Sequence, residues 1–199
     1  MIKHIVFDFD GVIHDSLHIH LETMREVFDL HFTPEEYAGF LDGNFIDSPI
    51  GKLDWDAYHL VLAPKYQSTI FSSDIISQLH TLSQQYVLSI NSTGNDDMLK
   101  LIIGANKISS LFSEIWGANT AQYKTDKFAM LMKKYDLQPQ EIIFVTDTLG
   151  DIREANSVGI PTIAITGGFH NRDRLLQGNT VAIVDSWQDL MANIRLYSR

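Results

Sequence analysis

Short apolar runs recur along the chain at Ile2 to Phe7, Tyr86 to Ile90, Ile142 to Val145, Ile160 to Ile165 and Val181 to Val184, each bounded by turn residues. Glu114 to Trp116 is a further candidate. Runs of this length and flanking read as buried strands. Between them the apolar spacing becomes helical: Ile75, Leu79 and Leu82; Met98, Leu101 and Ile102; Phe128, Leu131, Met132 and Tyr135; then Ile152, Ala155 and Val158, with Gly159 as the stop. Strand and helix alternate, which predicts an α/β fold built from βαβ units around a mainly parallel sheet.

One stretch breaks this rhythm. From about Ser16 to Ser72 there are helical patterns and no convincing strand, so residues 16–72 read as a helical insert in a domain made of 1–15 and 73–199. Leu17, Leu21, Met24 and Phe28 share a helical face. Thr33-Pro34-Glu35-Glu36 has the N-cap, first-turn proline and returning glutamate of a capped helix, and a third helix is expected over Trp55 to Leu62. Leu41 to Leu53, with two glycines and a proline, reads as a loop facing whatever lies beneath the insert.

With 199 residues and 45% hydrophobic composition the chain can bury a core of its own. A formal net charge of -10 argues against the broad basic footprint of a nucleic-acid binder. The chain contains no cysteine, which removes disulfides, thiolate metal sites and cysteine nucleophiles. It opens directly on a strand with no basic leader, and no apolar run approaches bilayer length, so no membrane partner and a cytoplasmic location are expected.

The first strand delivers the most telling residues, Phe7-Asp8-Phe9-Asp10-Gly11-Val12. Side chains alternate along extended chain, so Asp8 and Asp10 face the same way, and two carboxylates that close call for a cation or a shared proton. Gly11 permits a sharp turn, leaving the pair at the carboxyl end of a strand, where open α/β sheets bind ligands. The arrangement suits Mg²⁺ and a phosphate: one carboxylate can attack phosphorus while its neighbour donates a proton to the leaving oxygen and later takes one from water. A strand ending in a solvated acidic turn would carry the same residues, so the remaining strand ends decide.

After the second strand come Asn91, Ser92 and Thr93, where a hydroxyl and nearby N–H groups can hold phosphate oxygens. Lys124 precedes the helix of Phe128 to Tyr135, in a loop that a parallel sheet brings to the same edge. Ile142 to Val145 runs into Thr146-Asp147-Thr148-Leu149-Gly150-Asp151. Mg²⁺ takes a few carboxylate oxygens and fills its shell with water and phosphate, which Asp8, Asp10 and Asp147 could provide together.

The ordered set Asp8-x-Asp10-Gly11, Ser92, Lys124 and Asp147-x-x-x-Asp151 resembles the phosphatase branch of the haloacid dehalogenase superfamily, near the phosphoglycolate phosphatase and β-phosphoglucomutase-like members, over the whole chain. The resemblance implies a Rossmann-like core with a small helical cap inserted after the first motif. It implies Asp8 as nucleophile, Asp10 as general acid and base, Ser92 as phosphate holder and Lys124 as the charge-neutralising lysine. Asp147 would ligate Mg²⁺ directly, the Asp10 backbone carbonyl would be a further ligand, and Asp151 would support. The expected activity is Mg²⁺-dependent hydrolysis of a small phosphorylated metabolite through an aspartyl-phosphate.

Two departures stand out. The family pattern has glycine at the position of Thr146, and its hydroxyl precedes an asparagine, whereas Asn91 here precedes Ser92, leaving Asn91, Ser92 and Thr93 as alternative phosphate holders. Asp10 argues against dehalogenation, which has no alkoxide leaving group to protonate. His20 matches a hinge histidine of the mutase-like members, so a phosphomutase is the first alternative, but the insert lacks the arginine that would anchor a second phosphate. A catalytically idle binding module on the same scaffold is the other. His14, His18 and His20 are assigned no metal.

Overall fold

The computed structural model describes residues 1–198. Six strands, β1 (His4–Phe7), β2 (Val87–Asn91), β3 (Phe112–Trp116), β4 (Ile142–Thr146), β5 (Thr162–Ile165) and β6 (Ala182–Val184), form one sheet in the order β3-β2-β1-β4-β5-β6. Every pairing is parallel, with His4 opposite Val87 on one side and Ile142 on the other. All carboxyl ends therefore lie along one edge, and β1 sits at the centre.

Both faces of the sheet are dry. Ile5 and Phe7 point into one apolar layer and Val6 into the other, so the three consecutive apolar residues of β1 reflect helices on both sides. On the first face α4 (Ser73–Ser83) and α9 (Trp187–Tyr197) supply Leu79, Leu82, Leu190 and Ile194, and the Trp187 ring stacks on Phe7 with centroids 5.7 Å apart. On the second, α6 (Lys124–Tyr135) and α7 (Leu149–Ser157) cover β1 and β4, with Phe128 edge-on to Phe144 at 5.1 Å. The expected α/β, Rossmann-like fold holds.

Element boundaries differ from the apolar runs for physical reasons. β5 starts at Thr162 because Pro161 has no N–H for the ladder, although its carbonyl still accepts from Phe144. The short helix α8 (Arg172–Leu175) and α9 lie outside the helices read from the sequence, although α9 carries buried Trp187, Leu190, Met191 and Ile194 at helical spacing behind the N-cap Ser186.

Between β1 and α4 the chain forms α1 (Leu17–Phe28), α2 (Pro34–Gly39) and α3 (Trp55–Ser68). The capping box at Thr33 and Glu36 is present in both directions. α3 runs six residues beyond Leu62, through Pro64, because Leu62 and Tyr66 are buried on one face and hold its last turns down. Residues 41–53 contain two 3₁₀ turns, Phe45–Asp47 and Pro49–Lys52. This segment rests on the carboxyl edge of the sheet: the Leu41 carbonyl accepts from Gly150 N–H at 2.9 Å, and Arg174 donates through two nitrogens to the Asp42 carboxylate. His170 spans the same junction, accepting from Leu149 N–H at 2.9 Å and donating to the Ala38 carbonyl at 2.8 Å, which fixes the Nε2–H tautomer. Among the described residues no helix is long and apolar enough to cross a membrane.

Candidate active site

The site is assembled at the carboxyl ends of β1, β2, β4 and β5, with α6 contributing Lys124. At the end of β1 the chain turns at Gly11, whose φ of 78° is left-handed and whose missing Cβ leaves room for the Asp147 carboxylate. Gly168 gives Asp147 the same clearance from the other side. Asp147 is thus gripped between two backbones. Phe169 N–H donates to its Oδ2 at 2.6 Å, while Oδ1 is buried with no hydrogen-bond partner.

Lys124 is the first residue of α6 rather than a loop residue before it, and it is fully buried. Its ammonium lies 2.9 Å from Asp8 Oδ1 and 2.7 Å from Asp151 Oδ2. Burial works to lower the Lys124 pKa, but the charges of Asp151 and Asp8 outweigh it and keep the ammonium charged. Thr146 earns its departure from glycine here, since its hydroxyl donates to the same Asp151 Oδ2 at 2.7 Å. Burial pushes Asp8 upward, whereas for Asp151 burial is overcome by Lys124 and the surrounding hydrogen bonds, which hold it below the usual range. Lys124 therefore lies between two carboxylates of unequal proton affinity.

Asp10 occupies a different environment. Its Oδ1 accepts from the Tyr66 hydroxyl at 2.7 Å and lies 3.2 Å from His20 Nε2 and 3.7 Å from His14 Nδ1. His20 Nδ1 in turn meets the Tyr58 hydroxyl. Burial works to raise Asp10, but the two imidazoles hold it well below the ordinary carboxylate range.

The end of β2 separates the three alternatives of its loop. Asn91 is the last strand residue, and its amide donates to the Lys124 carbonyl at 3.2 Å, behind the site. Ser92 and Thr93 line the cavity above Asp8 and Asp10, and Asn91 does not. Ser92 Oγ accepts from Gly94 N–H at 2.9 Å. The following helix α5 (Asp96–Ala105) is capped by Asn95, so Ser92 lies in the preceding turn and not at the helix N-terminus. Lys127 stitches this turn in place by donating to the carbonyls of Ser92 at 2.6 Å and Gly117 at 3.2 Å. Burial, reinforced by the nearby Lys124 charge, lowers Lys127 to about 8. Asp96 completes the stitching by accepting from Asn119 and Thr120.

Asp8, Asp10, Ser92, Thr93, Asp151 and His20 share one cavity of about 360 Å³; Lys124 and Asp147 lie beneath its floor. Tyr66, Thr146, Lys127 and His170 were absent from the sequence-derived set of site residues. A divalent cation suits the floor chemically. Burial raises Asp147 to about 8, its Oδ1 is orphaned, and Asp8 and Asp151 add negative charge close by. Among the described residues no three histidine, aspartate or glutamate side chains are grouped so as to hold a metal ion on their own.

A parallel α/β sheet that gathers four aspartates and a buried lysine at its carboxyl edge, beneath an open cavity, has the architecture of a hydrolytic enzyme of the phosphate-handling kind. Comparison with known proteins supplies the family. The sequence model of the haloacid dehalogenase-like hydrolases matches residues 5–165, and the chain belongs to that family. It is 24% identical to a phosphoglycolate phosphatase of Synechococcus elongatus over 94% of each chain, and 26% identical to one of Mannheimia succiniciproducens over 95% of this chain and 96% of that one. A haloacid dehalogenase-like hydrolase of Streptococcus pneumoniae superimposes with a TM-score of 0.81 at 25% identity, covering 97% of this chain and 98% of the other. These relatives agree with the expected class, a phosphoric monoester hydrolase of the phosphoglycolate phosphatase-like branch.

Proposed function

We propose that the protein is a Mg²⁺-dependent phosphatase acting on small phosphorylated metabolites, with Asp8 as nucleophile and Asp10 as general acid and base. Residues 1–15 and 73–199 serve as the catalytic core and 16–72 as a helical cap. The observation that carries this reading is the Asp8–Lys124–Asp151 bridge under a cavity into which Asp10 opens.

An Asp8 carboxylate oxygen attacks phosphorus and the ester P–O bond breaks, with Asp10 giving a proton to the departing alkoxide. A water then attacks the phosphorus of the aspartyl-phosphate, Asp10 takes its proton, and cleavage of the P–O bond to Asp8 restores the carboxylate and releases orthophosphate. Asp10 is ionised at rest, and an arriving phosphate dianion raises its proton affinity for the acid step. Lys124 keeps Asp8 oriented and offsets the charge of the transferring oxygens. Ser92 and Thr93 hold the phosphoryl oxygens from the β2 side. Asp8, Asp147 and the Asp10 carbonyl would hold Mg²⁺, which supplies charge neutralisation and in-line orientation when bound.

The test is hydrolysis of p-nitrophenyl phosphate with and without Mg²⁺. Metal-dependent turnover that disappears in a folded Asp8→Asn protein is expected. A wild-type protein that binds phosphate without turning the ester over would instead be a binding module.

A further inference from the structure

The two halves of the cavity differ in chemistry. Its floor is built for a phosphoryl group, from Asp8, Asp10, Ser92 and Thr93. Its upper wall comes from residues 37–66 and is apolar and aromatic, with Tyr37, Leu41, Phe45, Trp55, Leu62 and Tyr66 as the main surfaces. Among the described residues no lysine or arginine lines it.

Cations near the cavity are engaged elsewhere. Lys65 lies 2.9 Å from Glu26 and 3.4 Å from Glu22, and Arg25 and Lys52 are exposed side chains outside the cavity lining. Arg174 is paired with Asp42, and Arg153 donates to the Asp42 carbonyl at 2.7 Å. Lys124 is held by Asp8 and Asp151, and Lys127 by two carbonyls. Of the imidazoles facing the cavity, His20 is taken by Asp10 and Tyr58, and burial lowers His59 toward its neutral form. Two acids, Asp56 and Glu154, also line the space. A leaving group bearing a carboxylate or a second phosphate would lose water there, meet like charge, and find no cation in return.

We infer that this cavity selects monophosphate esters whose alcohol carries an aromatic or branched apolar body and no negative charge, and that it discriminates against esters of hydroxy acids and against bisphosphates. The inference rests on the phosphatase reading and adds the substrate class to it. Asn95, Asn119 and Gln122 at the cavity side supply neutral hydrogen-bonding groups for a hydroxyl or amide on such an alcohol. The selectivity separates this chain from the phosphoglycolate phosphatases it is similar to, because phosphoglycolate carries a carboxylate.

The test compares kcat/KM of the full chain with Mg²⁺ for 2-phenylethyl phosphate, phosphoglycolate and phosphocholine at neutral pH. The aromatic ester is expected to exceed phosphoglycolate by about 100-fold, the scale on which a cavity rejects a group it leaves unpaired. Phosphocholine, whose cation meets the aromatic wall with Asp56 and Glu154 close by, should also exceed phosphoglycolate. Trp55→Ala should shrink the first ratio through KM, and Leu41→Arg should shrink it by improving phosphoglycolate. Equal or better turnover of phosphoglycolate by the wild type overturns the inference, and phosphocholine turned over no better than phosphoglycolate overturns the charge argument. If no ester is turned over, the phosphatase reading fails, and calorimetric binding of the same three esters decides the cavity preference separately: tighter phenylethyl phosphate sustains it, tighter phosphoglycolate removes it.

Discussion

The Tyr66 hydroxyl, on the last turns of α3, donates a 2.7 Å hydrogen bond to Asp10 Oδ1 across 56 residues of sequence. Burial and the Asp10 charge raise the phenol well above its ordinary range, so it remains a donor at any working pH. Tyr66 thereby couples the position of the helical segment to the charge state of the group assigned to proton transfer.

Tyr66→Phe keeps the ring against Phe9, His14 and His20 while removing that donor. A hydrogen bond to a charged group contributes about 1.5–3 kcal/mol, so kcat should fall roughly 10- to 100-fold with a small change in melting temperature. Without the donor the Asp10 carboxylate is less stabilised, its proton affinity rises, and the limb of the pH–rate profile that it governs should move to higher pH. An unmoved profile would leave Tyr66 a packing residue.

Asp147 and Asp151 are expected to divide their work. Asp151 already has a cation in Lys124 and a donor in Thr146, whereas Asp147 Oδ1 has neither. Half-activation by Mg²⁺ should therefore shift more than about tenfold in Asp147→Asn and less in Asp151→Asn, and the rise in melting temperature that Mg²⁺ gives the wild type should vanish only in the former. In metal-free protein Asp147 titrates near 8 against an ordinary 3.8. The folded state then binds the extra proton, so this contribution to stability is lost as pH rises from about 4 through about 8, and Asp147→Asn should flatten that slope. Identical metal titrations for the two variants would contradict the division.

His4 provides a separate stability prediction. Burial outweighs the nearby Glu114 charge and lowers it from 6.5 to about 4, with Nε2 2.8 Å from Ser89 Oγ. A lowered folded value means that the unfolded chain takes the proton first. The contribution is complete above pH 6.5 and is lost as pH falls toward 4, to the extent of about 3 kcal/mol. His4→Gln retains a polar partner for Ser89 and does not titrate. Its denaturant midpoint should decline less steeply than that of wild type between pH 6.5 and 4; parallel declines would remove His4 as the cause.

The parts legible in the sequence are those where a periodic pattern breaks. Asp8 and Asp147 each follow an apolar strand directly, and a parallel sheet brings such positions to one edge, so their convergence could be reasoned without coordinates. Tyr66 lacked any such mark, because a buried tyrosine on a helix looks like packing until the segment is set down on Asp10. The same holds for Lys127, whose carbonyl partners lie 35 and 10 residues away. Among Asn91, Ser92 and Thr93 the ambiguity was one of register: β2 extends to Asn91, which turns that side chain behind the site, and a shift of one residue exchanges the faces of a strand. The apolar wall of the cavity was hidden for a related reason, since its residues come from three separate stretches between Tyr37 and Tyr66.

The stereochemistry of transfer provides the last prediction. If Asp8 attacks first and water second, phosphorus undergoes two in-line displacements, each inverting its configuration, and the product retains the original hand. Direct attack by water inverts once. Lys124 and the buried setting hold an Asp8 oxygen at the floor of the cavity, whereas Asp10, braced by His20 and Tyr66, stands where it can serve the leaving oxygen and then the attacking water. Both displacements can therefore share one proton carrier without rearrangement of the floor. An ester made chiral at phosphorus with three oxygen isotopes, transferred by the enzyme to an acceptor alcohol in place of water, reports the outcome through the configuration of the new ester. Retention is expected; inversion would exclude the aspartyl-phosphate and leave Asp8 as a base for direct hydrolysis.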